Sequence, residues 1–174
     1  GDARAAASSH EQRVHIAGDQ PLLVDSSVGR LGVLICYDLR FPELSRYYFN
    51  MGAEILVVPA QWPEVRSQHW RTLLRARAIE NELFVVGCNR TGHEPSLKNE
   101  EDQSFVGDGR IVDPTGEILA VGNGADGLVL APIELRTIRT MRRILPVARD
   151  QRPEVYRKLW DATLQAQTNG AAGR

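Results

Sequence analysis

Apolar residues fall along this chain in two alternating patterns, short unbroken runs and longer stretches at helical spacing. The runs are Gly29–Tyr37 (GRLGVLICY), Glu54–Pro59 (EILVVP) and Leu83–Cys88 (LFVVGC). Runs of this length without polar alternation are the pattern of strands buried on both faces. Between the first two, PELSRYYFNMG places Leu44, Tyr47, Tyr48 and Met51 at helical spacing, with Pro42 in an initial turn and Gly52 as a stop. Between the last two, SQHWRTLLRARAIENEL clusters Trp70, Leu73, Leu74, Arg77 and Ile79 around a second helix that Ser67 is expected to cap. Strand, helix, strand, helix, strand predicts parallel βαβ units.

The second half changes character. Asn89–Asp102 reads as a long polar loop, followed by β-like pieces at Arg110–Val112, Ile118–Val121 and Leu128–Leu130. Asp113-Pro114-Thr115-Gly116 is a turn between the first two, and Asn123-Gly124 and Asp126-Gly127 punctuate before the third, as in antiparallel additions. A basic helix is predicted from about Ile133 to Ile144, with a seam of Leu135, Ile138, Met141 and Leu145. The tail 146–160 is amphipathic and predicts a docking segment. The whole reads as a mixed α/β layer structure, a single domain over 1–174, with 1–10 and 166–174 expected to be disordered.

Composition narrows the function. The 174 residues are 43% hydrophobic and 25% charged, ordinary for one globular domain with a core. Basic and acidic side chains number 21 and 22, and a net charge of -1 argues against nucleic-acid or membrane-surface partners. Two cysteines exclude a disulfide framework and fit a reducing, cytoplasmic setting. No zinc-ligand spacing, phosphate loop, dinucleotide fingerprint or G-x-S-x-G elbow occurs. The arginines at 136, 139, 142 and 143 read as a solvated or dimer-facing helix surface.

The strongest chemical signal is LICYDLRFPEL, residues 34–44. Cys36 closes an apolar run just before a turn and a helix, at the strand end where ligands bind in open α/β sheets. A thiol there faces a cleft or packs as a small core residue, and position beside Asp38 and Arg40 leaves the two readings even.

Taken with HWRTLLRARAIENELFVVGCNRTG and the later GDGRIVDPTGE, the segment LGVLICYDLRFPELSR resembles the C-terminal two-thirds of a nitrilase-superfamily carbon–nitrogen hydrolase, nearest the omega-amidase-like branch. The resemblance covers about residues 11–157. It implies an αββα sandwich, here N-terminally truncated, forming a homodimer or higher homo-oligomer. It implies hydrolysis of small linear carboxylic acid amides without metal or cofactor, by a Cys–Glu–Lys triad. Cys36 falls on the nucleophile, whose attack gives a thioester that water resolves. The backbone N–H of Tyr37 falls on an oxyanion donor.

Two triad members have no counterpart. No lysine precedes Cys36, the lysines being Lys98 and Lys158, and the only earlier glutamate is Glu11. Glu11 matches an auxiliary glutamate of the family, not its general base. The chain is therefore expected to be a fragment or shortened product, with an unpaired sheet edge that favours self-association. A non-catalytic dimerisation module and an acyl transferase using the same acyl-enzyme are the rival functions. Trp62, Arg40 and His69 are the substrate-binding candidates, the last more often a surface residue. Arg75 and Arg77 are expected to pair with Glu80 or Asp38, Cys88 to lie in the core, and Asp108 to form a turn.

Overall fold

The computed structural model describes residues 16, 18–95 and 102–171. Among these residues eight strands form, β1 (Leu23–Ser26), β2 (Gly29–Val33), β3 (Ile55–Ala60), β4 (Phe84–Asn89), β5 (Thr91–Glu94), β6 (Gln103–Val106), β7 (Arg110–Val112) and β8 (Ile118–Val121). Six of them make one sheet in the order β1-β2-β3-β4-β7-β8. The central three are parallel, as the βαβ pattern predicts, and β1, β7 and β8 add antiparallel. The crossovers are α1 (Pro42–Asn50) and α2 (Ser67–Asn81).

Alternation along the central strands sorts their side chains between two faces. Leu56 and Val58 of β3 and Val85 of β4 join Tyr48 of α1 and Trp70, Leu74 and Ala78 of α2 in one buried cluster. Ile55 and Phe84 point the other way and pack with Ile138 of α3 (Arg136–Ile144). Two glycines let the first layer close. A Cβ on Gly32 would lie 2.6 Å from the Tyr48 ring, and one on Gly87 would lie 2.7 Å from both Trp70 and Leu74.

Several boundaries differ from the sequence reading, each for a local reason. β2 stops at Val33, not Tyr37. The Leu34 N–H still bonds the Val57 carbonyl at 3.0 Å, after which Asp38 turns the chain by accepting the Ile35 N–H at 2.9 Å. Residues Cys36–Arg40 then form a 3₁₀ turn. Ser67 is the first residue of α2 and makes no cap, since Arg66 holds the flanking position. The polar stretch after Asn89 contains β5, which pairs with β6 in a separate hairpin. Leu128–Leu130 forms no strand, and both leucines are exposed. The basic helix starts at Arg136. Of its seam Ile138 is buried, while Leu145 is exposed. The tail folds as α4 (Val147–Asp150) and α5 (Pro153–Ala171), so 166–171 are helical. Residues 1–10 and 172–174 lie outside the described residues. Among those described, no helix is long and apolar enough to cross a membrane.

Candidate active site

The parallel strands end together on one edge, and the segments leaving β2, β3 and β4 meet there. Cys36 opens the 3₁₀ turn with φ +46, a left-handed conformation that a side chain with a Cβ adopts at a cost of about 1–3 kcal/mol. Such a conformation persists where its surroundings over-determine it, and here they do. Asp38 closes the turn through Ile35, while Arg77 of α2 donates from Nε and Nη2 to the Leu39 carbonyl at 3.1 and 2.8 Å. Arg77 also pairs with Glu80 at 3.0 Å, as expected, whereas Arg75 donates to the Gly116 carbonyl at 2.9 Å. Tyr48 fixes the preceding strand by donating its hydroxyl to the Val33 carbonyl at 2.7 Å, and burial raises its phenol above the ordinary value.

The thiol itself is half-buried and its sulfur lies 3.9 Å from the Gln61 carbonyl oxygen. Ile35 and Tyr37 beside it are exposed, so the ledge opens to solvent. Among the described residues no acceptor takes the Tyr37 N–H, and no glutamate or lysine is bonded to the sulfur. Glu11 lies outside the described residues.

Arg40 does not brace the turn; Arg77 does. The Arg40 guanidinium sits 4.6 Å from the Trp62 ring centroid and 5.5 Å from that of Tyr37. It forms no hydrogen bond or ion pair among the described residues. A guanidinium against two rings, with its N–H groups taken by no acceptor among the described residues, can accept an anion. Trp62 is 3% exposed, packed on Trp70 at 5.6 Å between centroids, with its indole N–H on the Arg66 carbonyl at 2.9 Å. Its ring therefore supports Arg40 more than it faces solvent. His69 stands exposed on the first turn of α2 and makes no hydrogen bond or ion pair among the described residues, so the geometry does not join it to the thiol group.

Three residues of this edge have no sequence signal beyond being polar at a strand end. Asn89 accepts the Trp62 N–H at 2.7 Å and donates to the Trp62 carbonyl at 3.2 Å. Gln61 donates its amide to Glu94 at 2.9 Å, and Glu94 also pairs with Arg90. Asp108, expected in a turn, lies buried with φ +59 in the irregular link between β6 and β7, where it holds Arg71 and Arg110 at 2.6 and 2.7 Å. Cys88, expected in the core, is exposed: it lies on β4 and lines a cavity of about 540 Å³ with Asn89, Arg90 and Arg110. That cavity does not include Cys36.

Comparison with known proteins agrees with this fold. A family model described as carbon-nitrogen hydrolase matches residues 3–143. The 2-oxoglutaramate amidase of Bacillus subtilis (strain 168) is 45% identical over 123 residues, 71% of this chain and 45% of that protein. A carbon-nitrogen hydrolase from Helicobacter pylori G27 superposes with a TM-score of 0.79 at 31% identity, covering 86% of this chain and 56% of its own. An amidase from Nesterenkonia sp. AN1, solved with an acetamide moiety added covalently at its active-site cysteine, gives 0.69 at 26% identity, covering 85% and 51%. The chain thus spans about half the length of the curated relatives it matches.

Proposed function

The chain belongs to the carbon–nitrogen hydrolase family, and from that premise we propose that its protein cleaves the C–N bond of small linear amides through Cys36 and releases ammonia. The observation that carries this reading is the left-handed Cys36 at the head of its turn, which lifts one sulfur out of a buried strand onto an open ledge.

The steps follow from the groups around it. The Cys36 sulfur, as thiolate, adds to the amide carbon, and the carbonyl oxygen takes up the negative charge. The Tyr37 N–H, which no acceptor takes among the described residues, donates to that oxygen. The C–N bond then breaks as the nitrogen is protonated and leaves as ammonia, giving a thioester on Sγ. Water adds to the thioester and returns the thiol with a carboxylate. The proton carrier for these transfers is the glutamate that family resemblance places ahead of the cysteine block, where this sequence has no match. Arg40 receives the carboxylate at the far end of the substrate, so amides of dicarboxylic acids fit this site. The B. subtilis relative, named for such an amide, supports that class.

A second reading, a non-catalytic module, draws on the lack of any bonded carboxylate or ammonium at Sγ among the described residues. One experiment separates the two. In the full-length protein, Cys36→Ala is expected to abolish ammonia release from succinamate while leaving the melting temperature within about 2 °C, because a half-exposed side chain is removed. Undiminished release by Cys36→Ala overturns the assignment. No release by the unsubstituted protein favours the module.

A further inference from the structure

The Arg40–Trp62 stack has a support of its own. Trp62 follows β3 on a segment with no strand neighbour, so its N–H and carbonyl need partners from elsewhere. Both come from one side chain 27 residues away. The Asn89 amide accepts from the Trp62 N–H at 2.7 Å and donates to the Trp62 carbonyl at 3.2 Å, as an opposing strand residue does. Asn89 is itself fixed, because it ends β4 in register with Ala60 and the Arg90 N–H after it bonds the Ala60 carbonyl at 2.9 Å. The next residue upstream is fastened separately, Gln61 by Glu94, on the thiol side of the segment.

We propose that Asn89 is a positioning residue for substrate recognition: its amide grips the Trp62 backbone and so holds the ring that presents Arg40 to the substrate carboxylate. This rests on the functional reading above, in which Arg40 binds that carboxylate. Loss of the grip lets Trp62 and Arg40 drift, while the backbone turn that carries Cys36 is held separately through Asp38 and Arg77; the Gln61 carbonyl 3.9 Å from the sulfur shares the gripped peptide group and is the one link between the two.

The test uses Asn89→Ala and Asn89→Asp in the full-length protein, each also in an Arg40→Ala background. Asn89→Ala is expected to raise KM for succinamate about tenfold with kcat within about threefold, as for two modest hydrogen bonds feeding one binding contact. Asn89→Asp, which keeps the acceptor and loses the donor, is expected to fall between. In the Arg40→Ala background the KM effect of Asn89→Ala is expected to vanish. A readout independent of turnover is hydrogen exchange of the Trp62 amide, expected to be protected in the unsubstituted protein and at least tenfold faster in Asn89→Ala. An unprotected Trp62 amide, or a KM effect that persists without Arg40, overturns the proposal. If Arg40→Ala alone leaves KM unchanged, the functional reading of Arg40 fails, and with it the assigned role of Asn89, even where exchange shows the grip intact.

Discussion

At the scale of single residues, left-handed backbone at Cys36 and at Glu82 costs stability, and only the first serves the ledge. The left-handed Cys36 is repaid in position. Glu82 is not: it follows α2 at φ +50, is 1% exposed, and neither carboxylate oxygen has a hydrogen-bond partner among the described residues. Burial raises its carboxyl above the ordinary value, against the pull of Arg142 and Arg46, whose guanidiniums flank the Phe49 ring at 5.0 Å each. Arg142 is in turn lowered by its own burial, with Glu82 and Glu54 opposing. The sign follows from linkage. A carboxyl raised on folding binds its proton more tightly in the native state, so its contribution is present below the ordinary carboxylate value and lost as pH rises through the raised one. Glu82→Gln is therefore expected to raise Tm by a few degrees at pH 8 and by less at pH 4, read by thermal melts across that range. An equal gain at both values contradicts the assignment. Nothing in the sequence marks Glu82, because a glutamate after a helix reads as surface.

At the scale of elements, what the sequence shows is what burial dictates. β2, β3, β4, α1 and α2 are legible because their side chains pack on both faces of one sheet, which forces continuous apolar runs and helical spacing. The hairpin β5–β6 is illegible for the opposite reason: Thr91, Gly92, His93 and Glu94 face largely outward and carry no alternation. Leu128–Leu130 is the converse error, strand-like residues with no pairing partner. The candidate site divides the same way. Cys36, Tyr37 and Arg40 stand in one short segment with a family resemblance, whereas Asn89, Gln61 and Glu94 act across 27 or more residues, which no local pattern encodes. Packing makes its own prediction here. Gly32→Ala puts a methyl within 2.6 Å of Tyr48, beneath α1 and behind the Cys36 turn. Overpacking of this kind costs about 1–3 kcal/mol. Chemical denaturation is expected to show that loss with an unchanged m-value, and a stability equal to the parent contradicts so close a fit.

At the scale of the whole molecule, α5 presents Tyr156, Leu159, Trp160 and Leu164 to solvent at helical spacing, and Leu128 and Leu130 are more exposed still. We propose this patch as the surface for the self-association expected from the sequence. In the 174-residue protein, sedimentation velocity at micromolar concentration is expected to show a dimer or larger species, shifted toward monomer by Leu159→Glu with Trp160→Glu. A monomer independent of concentration contradicts it. The central claim, however, concerns where the acyl group goes. Trypsin separates the two thiols, leaving Cys36 in Leu31–Arg40 and Cys88 in Ala78–Arg90. The decisive measurement is peptide mass after acid-quenching the full-length protein during turnover of succinamate. The account predicts the acyl increment on Leu31–Arg40 alone, and its absence in Cys36→Ala. Hydrolysis with no acyl increment on that peptide, or an increment on Ala78–Arg90 instead, contradicts it.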